Sequence, residues 1–579
     1  MTDLLLEPFG YAYMTNAMWV SALVGGVCAF LSSYLMLKGW SLIGDALSHS
    51  VVPGVVGAFA LGLPFALGAF VAGGLAAGAM LFLSQRSGLK IDVIIGIIFT
   101  AFFGIGLFMV SVSPVPINVQ TIVMGNILAI TPEDTVQLAA IGFVSLAVLL
   151  AKWKDLMVTF FDENHARSIG LRPDLLKIVF FTLLSASVVA AMMTVGAFLV
   201  IAMVVTPGAT AYLLCDRFPR LIALSVAIGA ATSFVGAYVS YFLDGATGGV
   251  IVTLQTMIFL LAFVFAPKHR PPQGLGRPPH GARTGQPAER RCAVTLLDTL
   301  LLPFQFPFMR NAFLIAAMVA VPTGLLSCFL VLKGWALMGD AISHATLPGI
   351  VLAWILNIPL IVGAFCAGMA CALLTGYLSH NSRVKQDTVM GVVFSGMFGI
   401  GIVLYTSVST NEHLDHVLFG NMLGVGDRDL LTSGAIAFAV SLLLLLKWKD
   451  LLLQAFDPAQ ARVSGLNTGL LHYGLLAGLS LTIVATLTSV GLILAIALLV
   501  TPGAIAFLVV RSFGRMLLVS VAACLCALLV GTYLSFFLDS APAPTVVLVL
   551  TALFCLAFAW RLRATRRNSM RASADRLAA

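Results

Sequence analysis

One segment of 17 residues occurs twice in this sequence, 295 positions apart, and it decides the fold. It reads KGWSLIGDALSHSVVPG at positions 38–54 and KGWALMGDAISHATLPG at positions 333–349, with eleven identical residues. Each copy places an aspartate and a histidine four residues apart in otherwise apolar chain, as Asp45 and His49 and as Asp340 and His344. The sequence therefore predicts two copies of one module that share an ionisable pair.

Residues on both sides of this segment repeat with the same offset. The motif Lys-Trp-Lys-Asp begins at Lys152 and again at Lys447, and no gap is needed to align residues 16–244 with residues 311–539. Self-similarity of this extent indicates a duplication or a gene fusion. The predicted organisation is a first module at 1–266, a linker at 267–292, a second module at 293–562 and a tail at 563–579.

Composition places these modules in a membrane. The chain is 60% hydrophobic and 10% charged, with a mean hydropathy of +1.04, whereas soluble domains carry about 25% charged residues. Many apolar runs approach the roughly 20 residues that a helix needs to cross a bilayer. We expect an all-α polytopic membrane protein with about eight or nine transmembrane helices in each module. Basic loops occur at matching positions in both modules, so the repeat is parallel.

The net charge of +8 does not indicate nucleic-acid binding. The basic residues lie in short loops, in the linker and in the tail, which is the pattern of segments that face the cytoplasm. A basic stripe on a folded surface is missing. The linker and the tail show no apolar periodicity and are both expected to be flexible and cytoplasmic. The expected location is the bacterial cytoplasmic (inner) membrane, in contact with lipid.

The repeated aspartate and histidine are candidate metal ligands. At a spacing of four they share one face of a helix, and ionisable groups inside a membrane are costly and usually face a pathway. Two copies offer two oxygen and two nitrogen ligands, a set that suits Mn²⁺, Fe²⁺ or Zn²⁺ better than Ca²⁺ or Cu⁺. The alternative is that each pair only hydrogen-bonds internally and ties helices together.

A second candidate feature is the charged stretch at 152–171, with its counterpart at 447–466. Within it, Asp162 is a plausible helix N-cap and Gly170 a plausible helix end. A short exposed helix of this kind fits a groove on a motor subunit, although an ordinary amphipathic loop helix has the same pattern. The copies differ here, because Asn164-His165 becomes Ala459-Gln460.

Together, the Gly-Asp-Ala-x-Ser-His segment, the Phe-Asp…Ala-Arg-x-x-Gly-Leu loop and the Thr-Pro-Gly-Ala motif resemble the manganese/zinc/iron permeases of ATP-binding-cassette importers, in particular the Sit/Yfe-type manganese and chelated-iron branch. In that branch the two permeases are normally separate chains, so this chain resembles a fusion of the pair. The resemblance implies that Asp45, His49, Asp340 and His344 contact the metal. It also implies that two segments couple the chain to an ATPase, through Asp162, Ala166, Arg167, Gly170, Asp457, Ala461, Arg462 and Gly465.

Three further features of the sequence give weaker indications of function. His413, Asp415 and His416 stand in an expected outer loop and have the elements of a metal-collecting vestibule, which the first module lacks. Asp92 and Asp387 are expected to cap a helix rather than carry ions. The Thr-Pro-Gly-Ala motif, at Thr206 and Thr501, makes either a hinge or a plain kink.

The leading hypothesis is a permease that moves divalent Mn²⁺, Fe²⁺ or Zn²⁺ inward without a permanently bound cofactor. The resemblance implies a cytosolic ATPase dimer and an extracytoplasmic metal-binding protein as partners. The sequence contains no Gly-Lys dipeptide and hence no P-loop of its own. The alternative is a proton-coupled secondary metal transporter that uses the same pairs. A membrane enzyme is disfavoured, because no nucleophile and base constellation accompanies the aspartate and histidine.

Overall fold

The computed structural model describes residues 6–112, 127, 131–243, 245–265, 306–407 and 422–578. These residues form 21 α-helices, short 3-10 turns and no strand. The helices before the linker are α1 (Ala12–Lys38), α2 (Ile43–Ser50), α3 (Val52–Ala60), α4 (Phe65–Arg86), α5 (Ile91–Val112), α6 (Pro132–Phe161), α7 (Glu163–Ser168), α8 (Pro173–Val195), α9 (Val200–Leu214), α10 (Phe218–Leu243) and α11 (Thr247–Phe265). Those after it are α12 (Pro307–Lys333), α13 (Met338–Ile355), α14 (Leu360–His380), α15 (Gln386–Ser407), α16 (Asp427–Phe456), α17 (Pro458–Val463), α18 (Thr468–Val490), α19 (Leu492–Val509), α20 (Phe513–Phe537) and α21 (Pro542–Ala578).

The duplication extends to the helix boundaries. Five helices of the first module, α1 and α5 to α8, begin and end 295 positions before α12 and α15 to α18. The counterpart of α13 is divided at Val51 into α2 and α3, although its backbone there is still helical (φ −78°, ψ −17°). Helical backbone therefore continues past Pro53 and past Pro348.

With α2 and α3 counted as one span, sixteen helices in the described part of the chain are long and apolar enough to cross a membrane, eight in each module. This confirms the predicted all-α polytopic class. The apolar run near residues 199–215 is the short helix α9, which falls below the spanning length. Helix α21 continues into the tail as far as Ala578, and the expected flexibility of the tail stays a prediction. The linker 267–292 and the residues His413, Asp415 and His416 lie outside the described residues.

Contacts divide the chain into two compact units that do not follow the sequence repeat. The first unit is residues 1–79, 115–273 and 341–412, and the second is residues 80–114, 274–340 and 413–579. In the first unit, α15 of the second module packs against α9 and α11 of the first. In the second unit, α5 of the first module packs against α19 and α21 of the second. The two helices α5 and α15 are equivalent in the repeat, and each packs against helices of the other module.

The Lys-Gly-Trp motif ends the helix that precedes each ionisable segment. Gly39 and Gly334 have left-handed backbones, with φ of +69° and +76°, and the following Trp40 N–H donates to Leu35 O over 3.0 Å. This is the geometry of a glycine-terminated helix end, which a residue with a Cβ would strain. The motif therefore turns the chain sharply just before α2 and α13.

A second repeated device is a glycine contact between the ionisable helix and the next one. A Cβ added to Gly54 on α3 would lie 2.0 Å from the carbonyl oxygen of Gly68 on α4, and one added to Gly349 on α13 would lie 2.1 Å from that of Gly363 on α14. Small residues permit this close backbone approach inside a membrane. The crossing anchors the far end of each ionisable segment.

We expect Gly54→Ala and Gly349→Ala each to lower the free energy of unfolding by about 1–3 kcal/mol, because backbone cannot move aside as a flexible side chain would. Thermal unfolding in detergent measures this. Gly74→Ala on α4 is the matched control, since no heavy atom lies within 4 Å of its added Cβ. Equal melting temperatures for the Gly54 and Gly74 variants would show that the helices are not in close contact.

Candidate metal site and cytoplasmic loops

The Asp45–His49 pair is buried in α2, with 3% and 0% of each residue exposed. His49 Nδ1 lies 3.0 Å from the Asp45 backbone oxygen and 3.6 Å from Asp45 Oδ1. A carbonyl oxygen only accepts hydrogen bonds, so Nδ1 carries the proton and donates it. In the neutral ring Nε2 then holds the lone pair, which is the form of histidine that binds a metal.

His344 of the second module lies in the same compact unit. Its ring centroid is 6.2 Å from that of His49. Two imidazoles bound to one ion at metal–nitrogen distances of about 2.1 Å have centroids roughly 4.5–6 Å apart. The observed separation is close to that range, so only a small approach of the two rings is required for them to share an ion.

Two aromatic rings of α15 enclose the His344 imidazole. Phe394 stacks on it with a centroid distance of 5.6 Å, and Phe398 meets it edge-on at 5.1 Å. Asp340 stands one turn before His344 on α13 and is 1% exposed. In the described part of the chain, no three His, Cys, Asp or Glu side chains converge closely enough to hold an ion. The predicted ligands are thus present as buried pairs.

The approach to α2 is fixed by neighbouring helices. Ser41 Oγ and Thr388 Oγ1, at the start of α15, share a hydrogen bond of 2.8 Å. A Cβ added to Gly44 would lie 2.9 Å from a methyl group of Val204 on α9. The residue before Asp45 must therefore be small, and α9 directly supports the site.

The matching turn of the second module is held differently. In the second compact unit, the Ala336 N–H donates to Asp92 Oδ2 over 3.0 Å, and Lys90 Nζ donates to Leu332 O over 2.6 Å. Asp92 thus binds the turn that precedes α13, a role beyond the capping that its position in α5 suggested. Ser41 and Ala336 occupy equivalent positions. Ser41 forms its bond through the side chain, whereas Ala336 forms its bond through the backbone N–H.

Serines missed by the sequence reasoning hold the Thr-Pro-Gly-Ala motif. On α1, Ser32 Oγ donates to Val205 O over 3.0 Å and accepts from Gly208 N over 3.1 Å. Ser327 on α12 makes the same two bonds, with Val500 O at 3.2 Å and Gly503 N at 2.8 Å. Proline disrupts helical bonding around it, and the serine bonds to one backbone group on each side of the proline. The 295-residue offset between the serines was a signal that could have identified them.

The predicted cytoplasmic helices are α7 and α17, and Asp162 and Asp457 cap them. Asp162 Oδ1 accepts from the N–H groups of residues 164 and 165 at 2.9 and 3.1 Å, and Asp457 Oδ1 accepts from those of residues 459 and 460 at 3.0 and 2.9 Å. Both helices end at a glycine with positive φ, +85° at Gly170 and +78° at Gly465. These motif residues therefore shape the loop.

The motif residues of the two loops differ in exposure. Ala166 and Ala461 are fully buried, whereas Arg167 and Arg462 are exposed. Large apolar side chains beside the short helices are also exposed. They are Phe161 (64%), Ile169 (54%), Phe456 (67%) and Val463 (89%).

Ion pairs hold α7 to α8. Glu163 accepts from Lys177 Nζ over 2.6 Å and from Arg167 over 2.9 Å, and Arg167 lies 3.5 Å from Asp174. The hydrogen bond from Lys177 lowers the pKa of Glu163, and the positive charges of Lys177 and Arg167 lower it further against the opposing effect of partial burial.

None of these ion pairs has an equivalent around α17. The matching positions of Glu163, Asp174 and Lys177 are Pro458, Gly469 and His472. Arg462 Nε instead donates to Thr468 Oγ1 over 3.2 Å. The two loops share a backbone shape but differ in how they are fastened.

Comparison with known proteins gives the same repeat. The family model described as the ABC 3 transport family matches residues 10–266 and again residues 305–561.

Each relative aligns with less than half of the chain. The chelated iron transport system membrane protein YfeC of Yersinia pestis is 65% identical over 269 residues, which are 46% of this chain and 92% of the relative. YfeD of the same organism is 53% identical over 262 residues, covering 45% and 88%. The manganese transport system membrane protein MntB of Synechocystis is 46% identical over 265 residues, covering 46% and 87%.

Among solved structures, PsaBC from Streptococcus pneumoniae in complex with Fab matches 46% of this chain and 97% of its own chain, at 34% identity and a TM-score of 0.43.

Ser32→Ala and Ser327→Ala should each lower the free energy of unfolding by about 1–3 kcal/mol, because each removes two buried hydrogen bonds between helices. Chemical unfolding in detergent measures the loss. Ser33→Ala is the control, since Ser33 is equally buried but bonds only to Ala29 O of its own helix. A loss no larger than that of the control would contradict this role.

The Glu163 ion pairs predict an acid-sensitive α7. Because folding lowers the pKa of Glu163, its contribution to stability is full at neutral pH and is lost as the pH falls through the ordinary glutamate range to the lowered value. Spin labels at Ile169→Cys and Ser464→Cys, on a background without the exposed cysteines, report the mobility of the two loops. The label at 169 should become mobile in acid and the label at 464 should not. A Glu163→Gln change should abolish the difference, and equal pH responses would refute the explanation.

Proposed function

Because the chain belongs to the ABC 3 transport family, we propose that it is the permease of an ATP-driven importer of divalent transition-metal ions. The family consists of transporter permeases rather than enzymes, and the chain is a multi-pass protein of the inner membrane. Its relatives each align along most of their own length with less than half of this chain. One polypeptide thus supplies two permease modules, as the fusion hypothesis predicted.

The observation that carries the proposal is the buried Asp45–His49 pair. A carboxylate and a neutral imidazole inside apolar helices are costly unless they serve a polar cargo. The bond from Nδ1 to the Asp45 carbonyl orients the ring and leaves Nε2 basic. With the same pair in the second module, this arrangement suits a dehydrated divalent cation.

We assign the cargo as Mn²⁺ or Fe²⁺, with Zn²⁺ as a further substrate. Relatives are named for chelated iron and for manganese transport. Carboxylate and imidazole ligands suit all three ions. His49 and His344 would bind the ion through imidazole nitrogen, and Asp45 and Asp340 would neutralise its charge.

The proposed ATPase partner docks on the two short helices. A cytosolic ATPase dimer presents two equivalent grooves, and α7 and α17 offer two copies of one capped helix with exposed apolar side chains beside it. Movement of α7 would pass to α8 through the Lys177–Glu163 bond. An extracytoplasmic metal-binding protein would deliver the ion on the opposite side.

Transport would change the distance between the metal-binding imidazoles of His49 and His344. The centroids of His49 and His344 are slightly too far apart for a shared ion in this conformation. A cargo that binds the closer arrangement more tightly shifts the population toward it. ATP hydrolysis would then open the other face, so tight binding and release alternate.

The test is metal uptake into proteoliposomes that contain the full chain and its ATPase. Asp45→Ala and His344→Ala should each reduce uptake at least about 100-fold, since each removes a ligand or its counter-charge. ATPase binding should be unchanged. His380→Ala, an exposed histidine at the end of α14, is the control.

Two outcomes would contradict the proposal. Near-normal uptake by the Asp45 or His344 variant would remove the site. Uptake that persists without ATP hydrolysis while a proton gradient is present would instead support a proton-coupled carrier.

A further inference from the structure

Arg383, in the loop between α14 and α15 of the second module, grips the end of α9 of the first module. Its guanidinium donates to the carbonyl oxygens of Tyr212 and Cys215, the latter over 3.0 Å, and pairs with Asp216. It also lies 4.7 Å from the centre of the Tyr212 ring. All these residues belong to the first compact unit. The last carbonyls of a helix attract a cation, so this contact combines several favourable terms.

The corresponding positions in the second compact unit have different chemistry. Arg383 corresponds to Gly88, which has nothing within 4 Å of an added Cβ, and Asp216 corresponds to Arg511. The end of α19 is held instead by Arg561 of α21, which donates to Leu508 O over 3.2 Å. The otherwise close repeat is broken at this contact.

We propose that residues 383 and 216 with their counterparts 88 and 511 form a pairing code that makes the first module associate with a second module and not with a copy of itself. The interaction surface is the loop between α14 and α15, and it contacts the end of α9. Two second modules would bring Arg383 against Arg511, a repulsive pair. Two first modules would bring Gly88 against Asp216, and the ion pair between arginine and aspartate would be lost.

The code rests on one attractive contact in the correct pairing and on the absence of an arginine at the corresponding position of the second unit. Arginine against aspartate occurs in the first compact unit, and glycine stands in place of arginine in the second. Opposite charges favour the right partner while like charges disfavour the wrong one, which is how specificity is commonly achieved. This inference does not depend on the transported substrate.

The test uses the full chain with a specific protease site inserted in the linker at 267–292 and an affinity tag on its C-terminus. The intact protein is purified and then cleaved, because a covalent linker would mask the affinity between the modules. The rate at which the first module leaves the immobilised second module is then measured.

Arg383→Gly should speed dissociation about 10-fold, and Asp216→Arg by more, since it creates the repulsive pair. The double variant Asp216→Arg/Arg383→Gly recreates the glycine–arginine combination of the second unit. It should dissociate more slowly than Asp216→Arg alone. Gly88→Arg, the matched change in the first module, should also speed dissociation, because the repeat relation would set the new arginine against Arg511.

The double variant decides the proposal even if a single variant folds poorly. If Arg383 only stabilised the end of α9, the two changes would add and the double variant would dissociate fastest. That order, or single variants that dissociate like the wild type, would overturn the pairing code.

Discussion

Burial of a carboxylate and an imidazole among apolar helices is the constraint on which this structure depends. Such groups are costly inside a membrane unless the protein provides hydrogen bonds for them, and they are usually retained because they serve a function. The backbone carbonyl of Asp45 meets part of this demand by accepting from both Ser48 Oγ, at 2.7 Å, and His49 Nδ1. Glycines at 44 and 54 then allow neighbouring helices to close around the segment. Burial of the pair thus requires small residues at the positions where neighbouring helices approach the segment.

Duplication allows two such segments in one chain, and the modules are similar in structure without being equivalent. Ser32 and Ser327 bond to the proline-containing turns of α9 and α19 in the same way. In contrast, ion pairs fasten α7 and have no counterpart at α17, and Arg383 grips only α9. The shared features lie near the ionisable pairs, and the differences lie in the loops. A fused pair of permeases can specialise its contacts with partners in this way while retaining one pathway.

The sequence predicted the features that depend on local pattern. The offset of 295, the membrane class, the caps at Asp162 and Asp457 and the number of spans per module all followed from spacing and composition. Long-range contacts could not be predicted, because Arg383 and Asp216 are 167 positions apart and nothing in either residue's surroundings indicates the other. The exchange of α5 and α15 was missed for the same reason. The helical course of the basic tail was not predicted, because low hydropathy disfavours burial but does not exclude a helix.

In the proposed site, imidazoles from both modules bind one cargo ion. Pulsed electron paramagnetic resonance of Mn²⁺ added to the purified full chain detects such ligands through nitrogen hyperfine couplings. We predict couplings from two imidazoles in the wild type and from one in His49→Ala and in His344→Ala. A spectrum without nitrogen couplings, or one that either substitution leaves unchanged, would contradict the claim.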